Sequence, residues 1–222
     1  MQQALQAGFG NWRQPAAGPQ AFKRLPQPLV AVPPLHFMER TPDKANATLQ
    51  AQLALPLSDL SADYPALSLA NFIFGQGDNS RLWQRVRQRE GLSYGVGSGI
   101  GWSSIDDNSF FTLNAIYAPQ NAARVETALR EELARSLADG FSAAELESAR
   151  SGLLAARRLG RAQDAAVAER LAANLYLHRR FALAQQVDEA IAALTLAQIN
   201  AAWRKYIAPQ RLVWGLGGDF KP

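Results

Sequence analysis

The residues best suited to chemistry crowd one stretch of the 222: Ser80-Arg81-Leu82-Trp83-Gln84-Arg85-Val86-Arg87-Gln88-Arg89-Glu90-Gly91-Leu92-Ser93-Tyr94. Four guanidiniums share a short helical segment, and a strand with one face stripped to glycine begins at once. A solvated basic face beside a glycine-rich edge strand is one reading of this pattern. The other is that one arginine reaches an acceptor, such as a peptide carbonyl or carboxylate. The glycine face would then let a second backbone lie close, as in strand addition.

The remaining inventory excludes more than it offers. The chain has no cysteine, which removes disulfides, thiolate catalysis and Cys-based zinc sites together. Only His36 and His178 are histidines, so a multi-histidine metal site cannot be built within one chain. His36-Phe37-Met38-Glu39-Arg40 has the outline of H-E-x-x-H or its inverted form. Arg40, however, stands where the second ligand belongs, and Pro33-Pro34 argue against a helix starting there. His178 reads as an exposed histidine near a helix end, favoured by the helix dipole. There is no G-x-S-x-G elbow, P-loop or complete G-x-G-x-x-G; Gly75-Gln76-Gly77 lacks the third glycine and follows a helix. Asp106-Asp107 belong to a turn composition and Glu131-Glu132 to a solvated helix face.

The elements that must position the arginine-rich segment are legible from periodicity. Prolines at 15, 19, 26, 28, 33 and 34 mark residues 1–35 as a linker from a preceding domain, at a density that forbids a helix. Residues 36–222 then form one domain. Alternation at Ala47, Leu49, Ala51, Leu53 and Leu55 predicts a strand over 45–56. Leu67, Ala70 and Phe74 predict a helix over 62–75, and Ser80 caps a second helix, 81–90, that Gly91 ends. Leu92, Tyr94, Val96, Ser98 and Ile100 should face one way along the following strand, with the glycines opposite. Residues 105–108 turn it into a hairpin arm at 109–117. Ala122, Val125, Leu129, Leu133 and Leu137 mark an amphipathic helix closed by Gly140. Capping boxes at Ser142–Glu145 and Thr195–Gln198 open two more helices, with further helices around 167–175 and 181–192. A last strand, 211–217, has to rejoin the sheet. This order predicts an α+β fold, a mostly antiparallel sheet with several helices packed on one face.

With 48% hydrophobic and 19% charged residues the chain can build a core. A net charge of +4 and a pI near 9.7 raise, weakly, the prospect of an acidic partner. The aromatics do not interleave with the arginines as a stacking platform requires, apart from Trp83, which argues against a nucleic-acid module. The first residues lack a basic region followed by an apolar run, and no stretch approaches the ~18–20 apolar residues of a membrane span, so neither a signal peptide nor a membrane role is expected.

SRLWQRVRQREGLSY resembles a stretch of the form S-R-L-x-x-x-x-R-x-x-x-G-L-x-Y in the C-terminal domains of the insulinase/pitrilysin metallopeptidases, the group that includes mitochondrial processing peptidase. The likeness in element order extends over roughly residues 40–220. It implies a half-clamshell fold whose N-terminal counterpart holds zinc through H-x-x-E-H and a distant glutamate. It further implies that Arg87 and Tyr94, seven residues apart, approach the substrate backbone across the chamber, while Ser80, Arg81 and Gly91 support the motif. By this resemblance the chain is non-catalytic alone, without metal or cofactor of its own. Its partners would be a peptide or protein substrate and a zinc-bearing half, fused or separate. A purely structural core subunit is the alternative within the same family. Bacterial relatives are often exported to the periplasm; the compartment of this chain is left open.

Overall fold

The computed structural model describes residues 1–13 and 23–220. Its framework is a five-stranded sheet in the order β1-β5-β2-β4-β3, from β1 (His36–Arg40), β2 (Ala47–Leu55), β3 (Gly95–Gly101), β4 (Ser109–Tyr117) and β5 (Val213–Gly218). The β2–β4, β3–β4 and β2–β5 pairs are antiparallel, and only β1–β5 is parallel. The α+β architecture expected from the sequence is therefore the observed one, with the last strand returning beside β2.

Strict alternation fixes which face of the sheet is covered. Ala47, Leu49, Ala51, Leu53 and Leu55 of β2 are buried, as are Phe111, Leu113, Ala115 and Tyr117 of β4. Against them pack α2 (Tyr64–Gly75), α3 (Ala122–Ala138), α4 (Ala143–Gly160) and α7 (Leu196–Tyr206). Trp203 of α7 sits at the centre, its ring centroid 5.0 Å from Phe74, 5.7 Å from Phe111 and 5.6 Å from Phe141. The cost of burying its indole N–H is offset by a 2.9 Å bond to Ser136 Oγ. Both predicted capping boxes are present, at Ser142/Glu145 and Thr195/Gln198. On the opposite face Gln50, Asn114, Thr112 and the glycines of β3 look outward, and no described helix covers them.

Several local expectations are corrected. The proline-poor start of the leader holds a helix, α1 (Gln2–Phe9), which buries none of its residues. Pro15 and Pro19 lie outside the described residues. His36–Arg40, where the sequence argues only against a helix, is a strand, because it pairs in register with Trp214–Gly218. Pairing places His36 on the helix side with Trp214 and Glu39 on the open face with Gly217, so the two cannot share a metal. Glu132 is fully buried, where a solvated face was expected, because Arg85 and Arg135 reach it from two sides. Between α4 and α7 lie α5 (Asp164–Tyr176), which buries no residue, and α6 (Leu183–Ala193), which buries only Ile191. Among the described residues no helix is long and apolar enough to cross a membrane.

Candidate functional site

The arginine-rich segment is held from behind by the end of α2. At Gly75 a Cβ would lie 2.2 Å from Ser98 Oγ and 2.5 Å from the Ser98 amide, so only glycine lets α2 close on β3. After the turn, buried Ser80 donates to the Gly77 carbonyl (2.8 Å) and accepts from the Trp83 amide (3.4 Å). The helix that follows is not the α-helix the sequence suggests. Trp83–Arg89 is a π-helix, ending with the Glu90 amide on the Arg85 carbonyl at 3.0 Å, five residues back. Such i→i+5 segments are rare and recur at functional sites. Gly91, at φ +60°, reverses the chain into β3, and the Tyr94 amide begins the ladder on the Ile116 carbonyl (2.9 Å).

The segment sorts its arginines by what they touch. Arg81 is anchored by Glu145 (2.6 and 2.8 Å) and the Gly140 carbonyl (2.8 Å), with its guanidinium 4.9 Å from the Phe141 ring centre. The Glu145 bond raises the Arg81 pKa. Burial pushes the Glu145 carboxyl up, but the bonds from Arg81 and Ser142 outweigh it and bring the pKa down to about 2. Arg85 spans Glu90 (2.9 Å), Glu131 and buried Glu132 (3.6 Å). Among the described residues Arg89 donates only to its own turn, from Nε to the Gln84 carbonyl. Arg87 differs from all three. Among the described residues it has no hydrogen-bond or ion-pair partner, and its guanidinium lies 4.5 Å over the Trp83 ring.

Of the residues singled out from sequence, Ser80, Arg81 and Gly91 are thus built into the scaffold of the segment. Arg87 is half-buried on the indole, and Tyr94 is 62% exposed, with its hydroxyl unbonded among the described residues. Tyr94 leaves the face expected for it: regular alternation starts at Gly95, and Tyr94 sits in the bend before it while Leu92 and Val96 are buried. Three contributors escaped the sequence reading, namely Trp83 as a platform and Glu145 and Glu132 as anchors. The i, i+4 spacing of Trp83 and Arg87 was the one local signal available.

Among the described residues no group of three or more His, Cys, Asp or Glu side chains could hold a metal ion, so the residues present do not fit zinc. A model of the "Peptidase M16 inactive domain" family matches residues 2–153. An uncharacterised zinc protease of Rickettsia bellii is 28% identical over 131 residues, which cover 59% of this chain and 31% of that protein. In fold, the chain is similar to the crystal structure of a peptidase M16 inactive domain from Pseudomonas fluorescens (TM-score 0.78, 24% identity, 91% of this chain and 48% of that one). It is similar also to a protease from Helicobacter pylori (TM-score 0.78, 16% identity, 99% of this chain and 52% of that one). The chain thus matches from 31% to 52% of the length of these relatives.

Proposed function

The chain belongs to the family of peptidase M16 inactive domains, and from that premise we propose that it is the substrate-gripping half of a zinc peptidase whose metal sits in a separate half. The zinc-bearing half is either fused through residues 1–35, acting as a linker, or a separate subunit. Arg87 and Tyr94 are the residues that meet the peptide. A guanidinium and a phenol are both donors, suited to a carbonyl oxygen that gains negative charge as it is attacked. Hydrolysis itself belongs to the other half, and this chain alone does not cleave.

One observation carries the reading: of four arginines in the motif, Arg87 alone has no hydrogen-bond or ion-pair acceptor among the described residues, and it is ordered over an aromatic ring, whereas Arg89 spends its Nε on the Gln84 carbonyl. A guanidinium held over an indole keeps its N–H groups available for an acceptor and loses little freedom on binding. The test is to reconstitute the chain with its zinc-bearing half and replace each residue singly. R87A and Y94F should each lower kcat/KM on a peptide substrate by about 100-fold, with the circular dichroism spectrum unchanged. Turnover unaltered by both substitutions removes the two roles.

A further inference from the structure

At the edge of the sheet opposite β3 lies a second place where peptide could bind. β1 is paired on one side only, and its register tells which backbone groups are spent. The Trp214 amide bonds the Leu35 carbonyl (2.7 Å) and the Thr41 amide bonds the Gly218 carbonyl (2.9 Å). In a parallel ladder with His36 opposite Trp214 and Arg40 opposite Gly218, the odd residues of β1 therefore point at β5. The N–H and C=O groups of His36, Met38 and Arg40 point away from the sheet, and nothing among the described residues pairs with them. All five residues of β1 are exposed. Natural edges are blunted by bulges, prolines, covering helices, short length or charge; among the described residues no bulge, internal proline or helix protects β1, and only its five-residue length and the charges of Glu39 and Arg40 do so.

A cleft opens beside the same edge. It has a volume of about 840 Å3 and is lined by Met38 and Leu216 from the sheet, Ala122, Ala123 and Glu126 from the first turns of α3, and Phe220 beyond β5. Its carboxylates are engaged: Glu126 bonds His36 (3.0 Å) and Arg130, and Asp219 faces Arg40 (3.5 Å), while Lys44 at the rim has no ion-pair partner among the described residues. What remains for a ligand is mostly apolar wall. The two features share one geometry, because Met38 offers its backbone outward while its side chain, paired with Leu216 on the helix side, forms the cleft roof. A strand laid ~4.8 Å outside β1 would direct alternate side chains to that same side.

We infer that β1 is a strand-addition site for an extended peptide segment carrying a bulky apolar side chain, with the main chain bonding His36, Met38 and Arg40 and that side chain entering the cleft. Main-chain bonds give such sites affinity and alternate pockets give them selectivity. The site is independent of Arg87 and Tyr94, which belong to the β3 edge, so either can fail alone.

The test uses the full 222-residue chain and a fluorescein-labelled, end-capped peptide of alternating threonine and valine with one central phenylalanine. Saturable anisotropy is expected, weakened about tenfold or more by N-methylating alternate peptide amides or by exchanging the phenylalanine for alanine. M38P removes the outward donor, at a position where an edge strand tolerates proline, together with the side chain that roofs the cleft, and A123W fills the cleft from an exposed helix position. Each should weaken binding about tenfold or more, with L175A, at an exposed position of α5 remote from both edges, as an unaffected control. Absence of saturable binding, or equal affinity for N-methylated and plain peptides, overturns the proposal. So does concentration-dependent dimerisation of the chain that M38P abolishes without any peptide binding, which would assign the edge to a second copy.

Discussion

Arg81 and Arg87 sit six positions apart in one segment and do opposite things for the molecule. Arg81 satisfies a partly buried carboxylate and the carbonyl of Gly140, so its loss would leave Glu145 with burial and no cation. R81A is expected to lower unfolding free energy by about 2–4 kcal/mol, measured by urea titration. Among the described residues Arg87 contributes only its contact with Trp83, so R87A should change stability by less than about 1 kcal/mol while lowering kcat/KM about 100-fold in the reconstituted enzyme proposed above. Equal stability losses would mean that the two arginines are not divided between scaffold and site. Glu145 adds a pH signature. Its folded pKa of about 2 lies below the ordinary 4.5. The stabilisation it provides is therefore complete above that ordinary value and disappears as pH falls toward 2. Urea midpoints should decline over this window in the native chain and decline less in E145Q.

At the scale of elements, the parts legible in the sequence are those whose cause is local. The alternation of β2, the apolar stripes of α3 and α7, and two capping boxes each follow from residues within a few positions of one another. The parts that were not legible depend on distant partners. His36–Arg40 carries no strand periodicity and becomes β1 only because Trp214–Gly218 lies beside it. Glu132 reads as surface until Arg85, far back in the chain, is folded over it. The candidate site divides in the same way: the S-R-L…G-L-x-Y pattern names Arg87 and Tyr94, but the π-helical register, the indole beneath Arg87 and the bend that exposes Tyr94 come from packing. Gly91 is the hinge between these levels. At φ +60° with no atom within 4 Å of a Cβ, G91A should cost only the left-handed backbone term, about 1–2 kcal/mol, and G91N less. A larger loss on urea unfolding would show that the turn carries packing as well.

On the scale of the whole molecule, the sandwich is unevenly held together. The sheet and α2, α3 and α7 share one apolar core, whereas α5 buries nothing and leaves Leu175 80% exposed. What ties this excursion to the body is largely charge. Arg179, just past α5, grips Asp59 through two bonds of 2.8 and 2.9 Å and also reaches the Ser104 carbonyl. Arg157 and Arg161, just before it, both bind Asp188 of α6. A helix fastened this way opens without unmaking the core, because the apolar area lost is small. Amides of residues 164–176 should therefore exchange with deuterium much faster than those of β2 and β4. D59N removes one latch and should accelerate exchange in α5 by about 5–100-fold, as expected for losing ~1–3 kcal/mol of charge-assisted bonding, while leaving the central strands unchanged. Raising salt should act in the same direction but more weakly, since Arg179 and Asp59 are partly shielded from solvent. If α5 exchanges as slowly as β2 in the native chain, or if D59N leaves it unchanged, the excursion is held by something other than its ion pairs.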